Sequence, residues 1–153
     1  MSLHTDIRPI ERADYAAWKP LWDGYNAHYE RVGATALPEA VTQTTWARFF
    51  DAYEPVHALV AVRGEQMLGL VHYMFHRSMI AVNPVCYLAD LFTVPQARGQ
   101  GVGKALIEEV YGVAKAADCP RVYWQTRDNN AAARRLYDQV ATHQGSIVYN
   151  HIF

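Results

Sequence analysis

One segment constrains this chain more than any other. Between Leu88 and Lys104 an apolar run ending at Val94 meets Pro95, and three glycines, Gly99, Gly101 and Gly103, then alternate into a helical pattern. A strand that turns through glycine into a helix leaves the first backbone N–H groups of that helix without partners. With no Cβ in the way, those groups can approach an anion closely, and the positive end of the helix dipole favours negative charge there. Arg98 and Lys104 add fixed positive charge. The turn is a candidate phosphate cradle, and spacing narrows its ligand. A nucleoside-triphosphate loop needs GxxxxGK followed by Ser or Thr, but Arg98 stands where the first glycine belongs and Ala105 where the hydroxyl belongs. The dinucleotide pattern GxGxxG fails as well, because its third glycine falls on Lys104 or on Leu106. What remains is Arg98-x-x-Gly101-x-Gly103.

The rest of the chain is sized to build one domain around this turn. It has 153 residues, 51% of them hydrophobic and 19% charged, enough apolar material for a core and too little charge to keep the chain unfolded. Lys plus Arg total 14 against 15 Asp plus Glu, a formal net charge of -1, which removes the general attraction that nonspecific nucleic-acid binders rely on. No apolar run approaches the roughly 18 to 20 residues that cross a bilayer. The start, MSLHTDIRPIERADY, lacks the basic residues and apolar stretch of a secretory signal. We therefore expect a cytoplasmic protein with neither nucleic acid nor membrane as partner. Cys86 and Cys119 lack CxxC spacing and the seven histidines form no HExxH arrangement, so no metal is expected and both thiols should stay reduced.

Periodicity assigns the elements. Residues 4–10 form a short strand, after which Tyr15, Trp18, Leu21, Trp22, Tyr25 and Tyr29 recur at helical steps, with Pro20 predicting a kink or fresh helical start near Lys19 to Leu21. Pro38 opens a second helix through Thr42, Trp46, Phe49 and Phe50. Residues 56–62 and 66–76 read as a hairpin around Arg63-Gly64-Glu65, and 85–94 as a central strand carrying one carboxylate, Asp90. A helix follows through Leu106, Ile107, Val110 and Ala114, then a strand over 121–126, a helix over 130–140 and a last strand over 146–153. The order β-α-α-β-β-β-α-β-α-β predicts an α+β fold with a mixed, mostly antiparallel sheet covered by helices. The final strand is apolar on both faces, through Ile147, Tyr149 and Phe153 on one and Val148 and Ile152 on the other, which predicts that a second subunit covers it and that the protein is a homodimer.

A second constellation lies on the 130–140 helix. Asn130, Ala133 and Tyr137 share nearly one face, because seven steps of about 100° come within roughly 20° of two turns. Asn130 offers amide donors, Ala133 leaves room alongside, and Tyr137 presents a phenol whose ordinary pKa of about 10 suits a proton donor.

At Arg98-x-x-Gly101-x-Gly103 the sequence resembles the GNAT superfamily of acyl-CoA N-acyltransferases, whose signature after a strand is (R/Q)-x-x-G-x-(G/A). The resemblance extends through DLFTVPQARGQGVGKALIEEV and RVYWQTRDNNAAARRLYDQV and fits the whole element order. It implies an acetyl-CoA-dependent N-acetyltransferase, similar to small amine, polyamine and amino-acid acetyltransferases. The pyrophosphate cradle then falls on the backbone of Arg98, Gly99, Gln100, Gly101, Val102, Gly103 and Lys104, and the pantetheine contacts on the backbone of Leu91, Phe92 and Thr93. Asn130 and Ala133 line the cofactor, and Tyr137 protonates the departing thiolate. The related subgroup often carries Leu-Glu-Asp-Leu where this chain has Leu88-Ala89-Asp90-Leu91, a departure that puts a proton relay at Ala89 in doubt; the sequence does not settle the base, for which Asp90 on the cofactor strand is one candidate and equally a structural residue. His72 and His76 share one strand face and are weaker candidates for the same task.

The acceptor pocket is expected from the first two helices and the hairpin, where Trp22, Tyr25 and Tyr29 form an aromatic stripe able to hold an amine by cation-π contact. Three functional readings stay open from the sequence: transfer to a small primary amine, transfer to a protein Lys or N-terminus, and non-catalytic sensing of acyl-CoA.

Overall fold

The structure is a computed structural model that describes residues 4–153. A five-stranded sheet runs in the order β1-β2-β3-β4-β5, where β1 is Asp6–Pro9, β2 Val56–Arg63, β3 Gln66–His76, β4 Val85–Thr93 and β5 Val122–Tyr123. All neighbours are antiparallel except β4 and β5, which run parallel. Four helices cover it: α1 (Tyr15–His28), α2 (Glu39–Arg48), α3 (Val102–Ala116) and α4 (Ala131–Val140). The mixed sheet flanked by helices is thus the one the alternation of strand and helix patterns predicts.

The sheet separates two cores. On one face the stripe Trp18, Leu21, Trp22 and Tyr25 of α1 packs on Val60 and Leu70, with Trp46, Phe49 and Phe50 of α2 closing over it. On the other, Leu106, Ile107, Val110 and Ala114 of α3 pack on Leu59, Val71, Cys86 and Leu88, with Leu136, Tyr137 and Val140 of α4 alongside. Alternation along the strands places these residues on opposite faces, and burying them is the main stabilising term. Among the described residues no helix is long and apolar enough to cross a membrane. Cys86 and Cys119 are free thiols.

Three expectations need correction. Pro20 does not start a fresh helix, since α1 runs on from Tyr15 to His28 with the proline inside it; Trp18 and Trp22, on either side of the proline, are both buried and stack at 5.7 Å, anchoring the flanking turns. The strand expected over 121–126 is only Val122 and Tyr123, because the chain leaves β4 after two residue pairs. The last strand does not form within the chain: residues 141–153 are all exposed and 142–153 belong to no helix or strand. Its apolar side chains, Ile147, Val148, Tyr149, Ile152 and Phe153, are left exposed.

Candidate active site

The short pairing of β5 creates the site. Parallel bonding joins Cys86 to Val122 and Tyr87 to Tyr123 and then stops, while β4 continues to Thr93 against β3. Among the described residues β4 therefore has no neighbour on its β5 side from Leu88 onward, and a wedge opens between the two strands. Backbone groups bordering it are free to bond an extended ligand as an added strand would. Leu91 turns its side chain to the α3 core and Phe92 to the α1 core, which leaves their main chain, with that of Thr93, as what β4 offers the wedge.

The wedge leads into the glycine turn. A 3-10 turn over Pro95–Ala97 follows β4, and the Arg98 Nε donates to the Thr93 carbonyl at 3.3 Å, tying the loop back to the strand end. Gly99 and Gly101 both adopt left-handed backbone, with φ of 76° and 81°. A Cβ at either would meet nothing within 4 Å, so these glycines are required by backbone conformation and border open space. Gly101 precedes the first residue of α3, and no side chain caps the helix. The N–H groups of Val102, Gly103 and Lys104 consequently lack intrahelical acceptors. The first turn of α3 holds no acid and does hold Lys104, a cation beside the positive end of a helix dipole. Its pairing with Glu108, at 3.9 Å and well exposed, offsets little of that repulsion. Donors, dipole, Arg98 and Lys104 all call for an anion here, and the residues fit the diphosphate of a coenzyme A donor.

Gly103 is helical and has a different reason to be small: a Cβ there would lie 3.3 Å from Leu136 Cδ2 and 3.8 Å from Thr93 Oγ1. That close approach seats α4 beside the turn, with Tyr137 following Leu136. Tyr137 is half-buried, edge-on to Trp124 at 5.4 Å, and its phenol is pushed up to about 12, by burial first and by neighbouring Tyr29 second. It therefore stays protonated at neutral pH and can serve as a donor. Asn130 caps α4: its Oδ1 accepts from Ala133 N at 3.4 Å while its Nδ2 donates to Thr126 Oγ1 at 3.3 Å. Its amide is committed to starting the helix that carries Tyr137.

Asp90 lies on the stretch of β4 that borders the wedge, with its side chain toward the α1 layer, against His72 and Tyr25. The β3–β4 register sets it opposite His72, just before a register shift in the ladder. His72 Nδ1 lies 2.9 Å from Asp90 Oδ2, and His72 Nε2 lies 3.0 Å from Trp18 Nε1. An indole nitrogen only donates, so His72 Nε2 must accept, the proton sits on Nδ1, and a neutral imidazole donates to the carboxylate. His72 is buried and Asp90 partly open, with side-chain exposures of 3% and 21%. The result is a fixed chain, Trp18 to His72 to Asp90, with the acid at its open end. Tyr25 lies beside the same carboxylate: burial, then Asp90, raises the ionisation of its phenol far above the ordinary range. Tyr87 is raised in the same way, by burial and then by Asp90.

Of the aromatic stripe, only its end reaches the wedge. Trp22 is a core residue, stacked on Tyr25 at 5.5 Å and donating to Thr42 Oγ1 at 3.2 Å, which corrects its expected place in the acceptor pocket. Tyr29, just past α1, spans from that helix toward Tyr137 and carries two guanidinium groups over its ring, Arg31 at 5.2 Å and Arg127 at 5.5 Å. Asn26, itself buried, orients Arg31 by accepting from its Nε at 2.7 Å. Among the described residues neither arginine has a carboxylate within salt-bridge reach. Sequence reasoning missed Arg31 and Arg127. The positions of both follow from the loops ending α1 and preceding α4, which carry no periodic signal. His76 takes no part in the Asp90 chain, its Nε2 lying 2.6 Å from the Tyr123 hydroxyl. A groove of about 560 Å³ between α1 and the end of β4 includes Phe92 and Arg98 but neither Asp90 nor Tyr137, so it borders the glycine turn and not the two candidate catalytic groups.

Wedge, glycine turn and a protonated phenol make up a site whose residues fit an acyl-CoA thioester. Residues 16–141 match the family described as the acetyltransferase (GNAT) family, and the chain belongs to it. It is accordingly an acetyl-CoA-dependent N-acetyltransferase. It is 35% identical to the D-amino-acid N-acetyltransferase HPA3 of Saccharomyces cerevisiae over 145 residues, 94% of this chain and 88% of that one. It is 28% identical to the uncharacterized N-acetyltransferase YhfO of Bacillus subtilis, over 88% of this chain and 87% of that protein. The fold also matches the aminoglycoside N-acetyltransferase AAC(6')-Iy in complex with CoA, with a TM-score of 0.84 at 16% identity over 99% of this chain and 97% of that one.

Proposed function

We propose that this enzyme acetylates the amino group of free amino acids by direct attack on the thioester of acetyl-CoA. The observation that carries the reading is the arrangement around Tyr29: a held carboxylate, Asp90, on one side of the wedge, a protonated phenol, Tyr137, on the other, and two arginines without acid partners over the ring between them. A substrate bearing both an ammonium and a carboxylate matches that distribution of charge. Arg31 and Arg127 bind the carboxylate, and Asp90 faces the ammonium, accepting its proton directly or through water. The neutral amine attacks the thioester carbonyl, an N–C bond forms, and the C–S bond breaks. Tyr137 gives its proton to the leaving sulfur, and the second proton shed by the newly bonded nitrogen returns through water to the phenolate, while Asp90 releases the first to solvent. His72 is a positioning residue, since it touches Asp90 and not the reacting atoms. Residues 98–104 hold the diphosphate and the open side of β4 aligns the pantetheine arm. The 35% identity to a D-amino-acid acetyltransferase supports the same substrate class.

The test measures acetyl-CoA consumption with both enantiomers of free amino acids, their carboxamides, polyamines, aminoglycosides and Lys peptides. Free amino acids should be turned over, and the carboxamides should lose at least about tenfold in kcat/KM, the scale of one charged hydrogen-bonding partner. Arg31→Ala should raise KM for the amino acid without changing CoA affinity. Equal turnover of carboxamides and free acids, or preference for polyamines or peptides, would overturn the assignment. Coenzyme A binding without transfer to any acceptor would point to a sensor instead.

A further inference from the structure

One row of side chains on the α1 face of the sheet packs in neither core. The register sets Val56, Met74, Tyr87 and Tyr123 side by side across β2, β3, β4 and β5. Alternation puts Tyr87 and Tyr123 on the α1 face, because their strand neighbours Cys86, Leu88, Val122 and Trp124 all turn to the α3 core. Among the described residues none of the four in the row joins either core, and all are partly exposed. The Tyr87 and Tyr123 rings lie 5.0 Å apart, tilted at 37°. Aromatic rings gain most from being covered, and this pair is left partly open.

The Tyr123 ring is held in place. His76 Nδ1 lies 2.8 Å from the Arg77 carbonyl, which only accepts, so the proton sits on Nδ1 and Nε2 accepts from the Tyr123 hydroxyl at 2.6 Å. Arg121 stands over the same ring at 4.4 Å. With its hydroxyl committed, Tyr123 offers a neighbour its apolar ring. The place of the row matters as much as its chemistry. Tyr87–Tyr123 is the last pair joining β4 to β5 before they part, so these two rings stand at the closed end of the wedge, on the layer that also holds Asp90. Burial raises the Tyr87 phenol first, and then Asp90, Tyr123 and Tyr29, groups that surround it.

We propose that this row is the subsite for the side chain of the acceptor amino acid, and that it selects large apolar side chains, aromatic ones above all. The proposal rests on the amino-acid reading above and deepens it. In that reading Asp90 faces the ammonium while Arg31 and Arg127 bind the carboxylate, so the third substituent of the same carbon is directed away from both. Tyr87 and Tyr123 are the surface that receives it, at the end of the wedge where an arm entering from the glycine turn brings its thioester to the amine. An aromatic side chain set against either ring covers that ring and loses its own contact with water, whereas glycine or alanine reaches neither. Cross-strand pairing that served only to stabilise the sheet would leave the choice of acceptor untouched.

The test compares kcat/KM for both enantiomers of alanine, leucine, phenylalanine and tryptophan in wild type, Tyr87→Ala, Tyr123→Ala and Tyr87→Phe, with the heat of coenzyme A binding as proof of folding. Wild type should favour phenylalanine over alanine by about tenfold or more; both alanine variants should bring that ratio toward unity through loss with the large acceptors, and Tyr87→Phe, which keeps the ring, should retain it. A wild-type ratio near unity, or a ratio that survives both alanine variants, overturns the subsite and leaves the amino-acid reading standing. The pair 2-phenylethylamine and ethylamine separates the two readings. If no amino acid is acetylated but the aromatic amine is favoured with the same dependence on Tyr87 and Tyr123, the carboxylate reading fails and the aromatic subsite stands; if that ratio too is near unity, both are overturned. Should one alanine variant not fold, the other and the wild-type ratio decide.

Discussion

Gly101 and Gly103 sit two residues apart in one turn, yet replacing each by alanine should do opposite things. Gly101 holds φ at 81° and ψ at 10°. An L-residue in that left-handed conformation costs about 1–2 kcal/mol, and with nothing within 4 Å of the added Cβ the cost is purely that of the backbone. If the turn keeps its shape, Gly101→Ala loses that energy in stability, lowering Tm by about 2–8 °C for a domain of this size. If the turn instead relaxes, the N–H groups of residues 102–104 rotate away and the same energy appears as about 5–30-fold weaker binding of coenzyme A. Gly103 is already helical, so alanine gains up to about 1 kcal/mol of helix propensity. Its Cβ meets the flexible end of Leu136 at 3.3 Å, a contact relieved by a small side-chain shift. Gly103→Ala should therefore keep Tm and coenzyme A affinity near wild type. Calorimetric titration with coenzyme A and thermal unfolding of both variants measure all four quantities. A Gly101→Ala protein unchanged in both stability and affinity would refute the reading of this turn as a conformationally specified cradle.

Two other outcomes are expected. Tyr137→Phe should lower kcat by about 10²–10⁴ while leaving coenzyme A affinity unchanged, and wild-type kcat should show no alkaline loss from this phenol below its pKa of about 12; an unchanged kcat would remove Tyr137 from the chemistry. Burial holds the His57 imidazole below its ordinary value of 6.5, so the folded protein binds its proton less readily than the unfolded chain. Its stability contribution is thus full above about pH 6.5 and is lost as pH falls through the lowered folded value; in His57→Phe, unfolding followed across that window should be less pH-dependent, and an identical slope would contradict the cause.

The turn was legible in the sequence because positive φ, close approach and the start of a helix all select glycine at fixed spacing, and few other structures need all three. The layers were legible for the reason any amphipathic pattern is: α1 and α3 each carry one apolar stripe. The wedge was not, because Trp124, Gln125 and Thr126 have the side chains of a strand, and where a strand departs from its neighbour is set by packing of Trp124 between Tyr111 and Tyr137, far off in sequence. Asp90 and His72 were each visible as residues, but their pairing depends on the register of the β3–β4 ladder, which the loop between them does not fix by length alone. Trp22 shows the converse limit. Helical spacing identifies an aromatic stripe without telling whether a given ring faces a ligand or, as here, Thr42 and the sheet.

In the proposed mechanism the acid and the phenol are mounted on opposite faces of one sheet, so the two halves of the reaction would rest on separate foundations. Asp90 depends on Trp18 and His72 in the α1 core, and Tyr137 on Leu136 and Trp124 in the α3 core. Changes in the first two helices can thus remodel which amine is accepted while the grip on the thioester stays as it is, so a lineage with this architecture can diversify its acceptors one layer at a time.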